Sequence, residues 1–274
     1  MIQIKIYWGR YMYLSLFLVL MACDPFNTKI ENHENQVLTY QANNITTPSS
    51  IPTKLNVVSW NIKFGVARLG FFFDCHGKKS LMKKNEVEQN LQLVIEKINQ
   101  VNPDILFLQE VDILSKRSAY INMVQWILDH SNLNYGIYAS QWTADYIPSD
   151  GIGRINSGNA ILSKYPLSDN ERIALPLIES QSGIVQYFYL RRNIVTTKAT
   201  IGNQELFLFN THLTAYGGNN IKKEQLTILK DRIDELNTQN KAFITGGDFN
   251  TIPPSSLKKS DFPDVVCPDA EDDN

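Results

Sequence analysis

The sequence predicts a mixed α/β fold, and three observations carry that expectation. Short runs rich in Val, Ile, Leu and Phe recur from residue 55 to residue 245. Amphipathic stretches with helical spacing separate several of them, so strands alternate with helices. Some strand segments alternate apolar with polar residues while others are apolar throughout, which argues against a purely parallel sheet. The composition fits, with 43% hydrophobic and 20% charged residues in a chain of 274. Such a chain is neither disordered, nor collagen-like, nor a multi-pass membrane protein.

The elements follow in order. Lys5 and Arg10 precede an apolar run from Tyr11 to Ala22, which ends at Cys23. As a helix that run reaches only about 18 Å, short of a bilayer core of roughly 30 Å. Residues 1–22 therefore read as a secretory signal. Leu20-Met21-Ala22-Cys23 resembles the bacterial lipoprotein box, with Cys23 as the lipidated residue; a plain signal peptide is the alternative. Residues 23–53 are rich in Asn, Gln, Thr, Ser and Pro and read as a flexible tether. The expected arrangement is a bacterial cell-envelope protein, lipid-anchored and extracytoplasmic. Residues 54–274 form the expected domain.

Within it, Leu55–Trp60 reads as a first strand. Val87, Leu91, Val94 and Ile98 share one face of a helix over Met82–Val101. Pro103 stops that helix, and Ile105–Gln109 is a strand of the type buried on both faces. A second helix is expected over Tyr120–His130. Further strands are expected at Tyr135–Ala139, Asn159–Ser163, Phe188–Lys198, Leu206–Asn210 and Ala242–Thr245, with a helix at Lys222–Leu236 before the last.

Polar groups with chemical capacity end or follow these strands: Asn61, Glu110, His212, Asp248 and Asn250. Strand ends gather along one rim of a sheet, where α/β proteins place ligands. Two carboxylates, two amides and an imidazole there suit a hard divalent cation bound to phosphate. Magnesium takes oxygen ligands and uses one or two carboxylates, leaving the rest to water and substrate. Read singly, each residue also has a structural explanation: Asn61 a turn, His212 a satisfied core histidine, Asp248 a loop former. The charge balance of 26 basic to 28 acidic residues shows no basic excess that would mark a nucleic-acid binder. Three cysteines without a CxxC spacing exclude a disulfide scaffold and a structural zinc site. Pairing of Cys75 with Cys267 stays open.

Five motifs occur in one order: Trp60-Asn61-Ile62, Gln109-Glu110-Val111, Ser157-Gly158-Asn159-Ala160-Ile161-Leu162-Ser163, Asn210-Thr211-His212-Leu213 and Gly247-Asp248-Phe249-Asn250. Together they resemble the endonuclease/exonuclease/phosphatase superfamily, the group of pancreatic deoxyribonuclease, sphingomyelinases and inositol-polyphosphate phosphatases. Each motif alone is weak, but five in register are specific. The resemblance implies a two-sheet α/β sandwich with helices on its outer faces and a magnesium-dependent phosphoesterase site, with manganese as a substitute metal. It implies Glu110 as principal metal ligand with Asn61 in support. His212 becomes general acid or charge stabiliser, Asp248 the group that orients or deprotonates water, and Asn250 a phosphate contact. Asn159 is a candidate substrate-binding amide.

One feature departs from the family. Most members close with a Ser-Asp-His motif, yet the histidines here are His33, His76, His130 and His212, and Ser260-Asp261-Phe262 is the nearest string. The expectation is a domain incomplete at its C-terminal side and impaired in turnover; a natural short form is the alternative. The expected function is a membrane-tethered phosphodiesterase acting on nucleic acid, with no protein partner implied. Two alternatives stand beside it. One is a sphingomyelinase-like lipid phosphodiesterase, for which Gly70-Phe71-Phe72-Phe73 would meet the membrane. The other is a catalytically impaired remnant.

Overall fold

Leu106 and Leu108 alternate with Ile105 and Phe107 along one strand, so both of its faces are apolar. Such a strand needs cover on both sides. The computed structural model provides it with two stacked sheets and helices outside them. The structure describes residues 30, 37–46, 48, 50–66, 70–71, 77–147, 151–188, 190–215, 218–252 and 255–257. The signal segment 1–22, Cys23, Cys75, Cys267 and Ser260-Asp261-Phe262 lie outside them.

The described elements are β1 (Val37–Gln41), β2 (Val57–Asn61), α1 (Lys84–Val101), β3 (Ile105–Asp112), α2 (Met123–His130), β4 (Tyr135–Ile147), β5 (Gly153–Ser163), β6 (Leu167–Ala174), α3 (Gly183–Phe188), β7 (Asn193–Ile201), β8 (Gln204–His212), α4 (Gly218–Thr238) and β9 (Phe243–Asp248). One sheet has the order β1-β4-β5-β3-β2 and the other β6-β7-β8-β9. Two pairs are parallel, β2 with β3 and β8 with β9. Their crossovers run through α1 and α4 respectively, as parallel pairing requires. The remaining pairs are antiparallel.

Three apolar layers result. Ile105, Phe107, Ile161, Val195 and Leu208 fill the space between the sheets. Leu106, Leu108, Val87, Leu91, Ile98 and Ile127 pack the first sheet against α1 and α2. Ile194, Phe209, Leu229 and Leu236 pack the second sheet with α4. The two-sheet α/β sandwich expected from the sequence is the observed fold.

Helix boundaries have local causes. Asn102 adopts φ 49° at the end of α1, a left-handed conformation that asparagine tolerates, and Pro103 follows. The Asn122 side chain accepts from the Gln125 amide at 3.2 Å and starts α2 there, so the helix does not reach back to Tyr120.

The structure corrects several of these expectations. The segment 23–53 is not a tether throughout, because Val37–Gln41 pairs with β4 as an edge strand. Asn43 continues the attachment through Asp129, and Thr46 through Asn134. Phe188–Lys198 is not one strand: Phe188 ends α3, and β7 begins at Asn193. The strand at β6 was not anticipated, since its sequence LSDNERIA is mostly polar. Along α4 the apolar Leu226 is exposed while the polar Gln225 is buried.

Candidate active site at the rim of the sandwich

Both parallel pairs end at the same rim. Asn61 faces Gln109 at the end of the β2–β3 pair, and His212 faces Asp248 at the end of β8–β9. The sheets therefore present Asn61 and Glu110 from one side, and His212 and Asp248 from the other. The side chains meet. Asn61 Nδ2 donates to Glu110 Oε1 at 3.0 Å and to Asp248 Oδ2 at 2.9 Å. His212 Nε2 lies 3.6 Å from that same Asp248 oxygen.

Short turns hold two of these groups. The Lys63 amide donates to Asn61 Oδ1 at 3.0 Å, and the Asn250 amide donates to Asp248 Oδ1 at 2.9 Å. Each is a side chain bonded to the backbone two residues on, which freezes one oxygen and aims the rest of the group. Gly246 and Gly247 make this geometry feasible. A Cβ on Gly246 would fall 2.4 Å from the Phe107 ring, and one on Gly247 would fall 2.2 Å from the Thr211 carbonyl oxygen.

Glu110 is aimed by a bulge. Leu108 pairs with Ala160 and Val111 with Gly158, so Gln109 and Glu110 together face Asn159. Glu110 adopts φ 55° there. That conformation costs a non-glycine residue roughly 1–2 kcal/mol, which the surrounding sheet must offset.

The charges are set by burial and neighbours. Burial and the nearby Arg192 guanidinium push His212 down to about 3, against a smaller upward pull from Asp248. Its imidazole is thus neutral at pH 7. Burial alone would raise the Asp248 carboxyl, but hydrogen bonds from Asn61 and the Asn250 amide, with His212 and Arg192 close by, hold it below its ordinary value. Asp248 is ionised at neutral pH.

Not every anticipated residue joins the cluster through its side chain. Asn250 turns its amide to the Leu213 carbonyl, 2.8 Å away, and reaches Asp248 only through its backbone. Asn159 is fully buried, with its amide 3.2 Å from Asn193 Oδ1, so it lies beneath the rim. Adjacent arginines such as Arg191 and Arg192 usually form a solvated face, yet Arg192 is buried and donates to Gln141 Oε1 at 3.1 Å. Asp112 is neither solvent-facing nor part of the cluster; it is buried against Arg117. Gln109 and Asn210 carried no role in the sequence reading. The alternation of β8, with Leu208, Asn210 and His212 on one face, was the available signal for Asn210.

The rim offers a cation oxygen donors from Glu110 and Asp248, with Asn61 between them. Among the described residues no group of three or more His, Cys, Asp or Glu side chains gathers as a metal site. Two carboxylates as oxygen donors fit magnesium, which leaves most of its octahedron to water and substrate, better than zinc.

Fold and rim together define a class: two-sheet α/β sandwiches with a carboxylate, amide and imidazole cluster where both sheets' parallel strands end. The chain belongs to the endonuclease/exonuclease/phosphatase family, whose model matches residues 58–261. Among solved structures, TDP2 from Caenorhabditis elegans is 23% identical with a TM-score of 0.45, covering 76% of this chain and 50% of its own. The human Nocturnin catalytic domain is 18% identical with a TM-score of 0.48, covering 83% of this chain and 69% of its own. ANGEL2, described as a 2',3'-cyclic phosphatase, is 18% identical with a TM-score of 0.51, covering 74% of this chain and 54% of its own. These likenesses concern the fold. The chain spans about half the length of the TDP2 and ANGEL2 chains it matches. No curated protein matches it.

Proposed function

We propose that the protein is a magnesium-dependent phosphodiesterase acting on nucleic acid, with Glu110 as the principal metal ligand and Asn61 in support. The observation that carries this is the amide of Asn61 joining two carboxylates from opposite sheets, with the His212 imidazole beside one of them. A cation held there would neutralise charge on phosphoryl oxygens and lower the pKa of a bound water. Asp248, ionised and fixed by two hydrogen bonds, orients the attacking water and accepts its proton. Neutral His212 serves as a hydrogen-bond donor to a phosphate oxygen. Its depressed pKa suits that role better than the role of a protonated acid. Asn250 and Asn159 support the phosphate site from the loop and from the floor.

The lipid-directed reading draws on the aromatic run Gly70-Phe71-Phe72-Phe73, within which Phe71 does not face outward. Phe71 is fully buried and packs edge-to-face on Phe64 at 4.8 Å. Phe72 and Phe73 lie outside the described residues.

The test is release of nucleotides from DNA and RNA, with sphingomyelin vesicles in parallel, in magnesium and in EDTA. Turnover of nucleic acid is expected in magnesium only, and Glu110→Ala should lower it at least about a hundredfold, as loss of a group stabilising transition-state charge does. Activity that survives both EDTA and Glu110→Ala would refute the reading. Preference for the vesicles would move the substrate assignment to lipid.

The resemblance of Leu20-Met21-Ala22-Cys23 to a lipoprotein box supports a further part of the proposal, a bacterial extracytoplasmic protein held to the membrane by lipid. In the native cell, Cys23→Ser should shift the protein from the membrane to the soluble fraction. Equal membrane retention of both forms would contradict the anchor.

A further inference from the structure

Glu110 is held at φ 55° in a bulge, and a bulge leaves a local gap in the ladder of backbone hydrogen bonds. One side chain reaches this place from the opposite sheet. Asn210 Nδ2 donates to the Leu108 carbonyl at 2.9 Å and to the Ala160 carbonyl at 2.8 Å. Leu108 and Ala160 are the last regular pair before the bulge. Asn210 Oδ1 in turn accepts from Gln109 Nε2 at 2.7 Å, and that nitrogen also lies 3.3 Å from Ser59 Oγ on β2. Asn210 has no solvent exposure and Gln109 almost none.

The placement is more than a generic stitch between sheets. Gln109 is one of the two bulged residues, and the other is Glu110. Asn210 precedes His212 by two positions on β8, so both project from the same face. A single buried amide therefore ties the backbone that presents Glu110 to the strand that presents His212. Resting on the reading that Glu110 holds the metal, we infer that Asn210, acting with Gln109, is the positioning residue that fixes the metal-ligand carboxylate relative to His212. It touches neither metal nor phosphate. It holds the bulge, and the bulge holds Glu110.

Mn²⁺ binding to the full chain, followed by electron paramagnetic resonance, tests this without relying on turnover. Asn210→Ala should weaken Mn²⁺ binding about ten- to a hundredfold, the range seen when an outer partner of a metal ligand is lost. Asn134 provides the control. It is also buried, and its amide donates to the Thr46 and Lys164 carbonyls at the other end of the sandwich. Asn134→Ala should lower the melting temperature and leave Mn²⁺ binding unchanged. Should Asn210→Ala fail to fold, Gln109→Met keeps the volume, removes the bond to Asn210 and carries the same expectation. Wild-type affinity in the folded Asn210 variant, or in Gln109→Met where that one stands in, would overturn the inference. Glu110→Ala separates the two claims. Lost Mn²⁺ binding there with intact binding in Asn210→Ala defeats only the positioning role; intact binding in Glu110→Ala defeats the metal reading and the positioning role with it.

Discussion

Asp112 is fully buried, and a carboxylate there is tolerable only because Arg117 meets it with two parallel hydrogen bonds of 2.8 Å while Ser118 Oγ adds a third at 2.9 Å. The guanidinium also lies over the Phe64 ring, 3.7 Å from its centre. Removing one partner of such a pair leaves a bare charge in a low-dielectric interior, at a cost of about 3–5 kcal/mol. Arg117→Met should lower the unfolding free energy in urea by that amount, and adding Asp112→Leu should restore most of it. A loss comparable to that of an exposed ion pair, below about 1 kcal/mol, would contradict this. The pair was not legible in the sequence, since nothing in the local pattern distinguishes Asp112 and Arg117 from solvent-facing charges until the fold buries them. The same holds for Arg192. Asn61, Glu110, His212 and Asp248 were legible because each terminates an apolar strand, and strand ends converge whatever the details of packing.

At the scale of elements, legibility followed hydrophobic contrast. β3 is apolar on both faces and was plain from its run Ile105–Leu108. β1 and β6 were hidden because edge strands bury little: β1 is half exposed, and β6 has a polar sequence whose largest buried side chain is Arg172. The β7 boundary was misplaced because Phe188 looked like the start of a strand, whereas it packs from α3 against the cluster of Ile147 and Ile155. The bulge at Glu110 was invisible, since nothing in Gln109-Glu110-Val111 marks an extra residue until β5 is aligned with it. β9 depends on a different local feature. Gly247 has φ 145° and its α-carbon lies against the Thr211 carbonyl. Gly247→Ala should force β9 away from β8, displacing Asp248 from His212. A lower melting temperature together with near-complete loss of turnover is expected. A variant as stable and active as the wild type would show that the close approach is dispensable.

Across the whole molecule, polar side chains cross between the sheets from one edge to the other. Asn61 links β2 to β9, Asn210 links β8 to β3 and β5, Asn159 links β5 to β7, and Arg172 links β6 to the Ser140 carbonyl of β4. Below this layer the space between the sheets is apolar, and above it lies the rim. Unpaired polar groups at such depth are costly, so this layer favours one register of the two sheets over others. The site is thus a property of the sandwich as a unit: neither sheet alone holds both carboxylates. The sequence announced the sandwich through five motifs in order, but not the layer that aligns its halves, because most of those amides gain their partners only across the gap.

The central claim is that a divalent cation binds at Glu110 where the two sheets meet. Anomalous diffraction from a crystal soaked in manganese tests it most directly. The expected result is a single strong peak at the Glu110 carboxylate beside Asn61 and Asp248, absent from crystals of Glu110→Ala. A peak elsewhere on the molecule, or one that persists in Glu110→Ala, would contradict it.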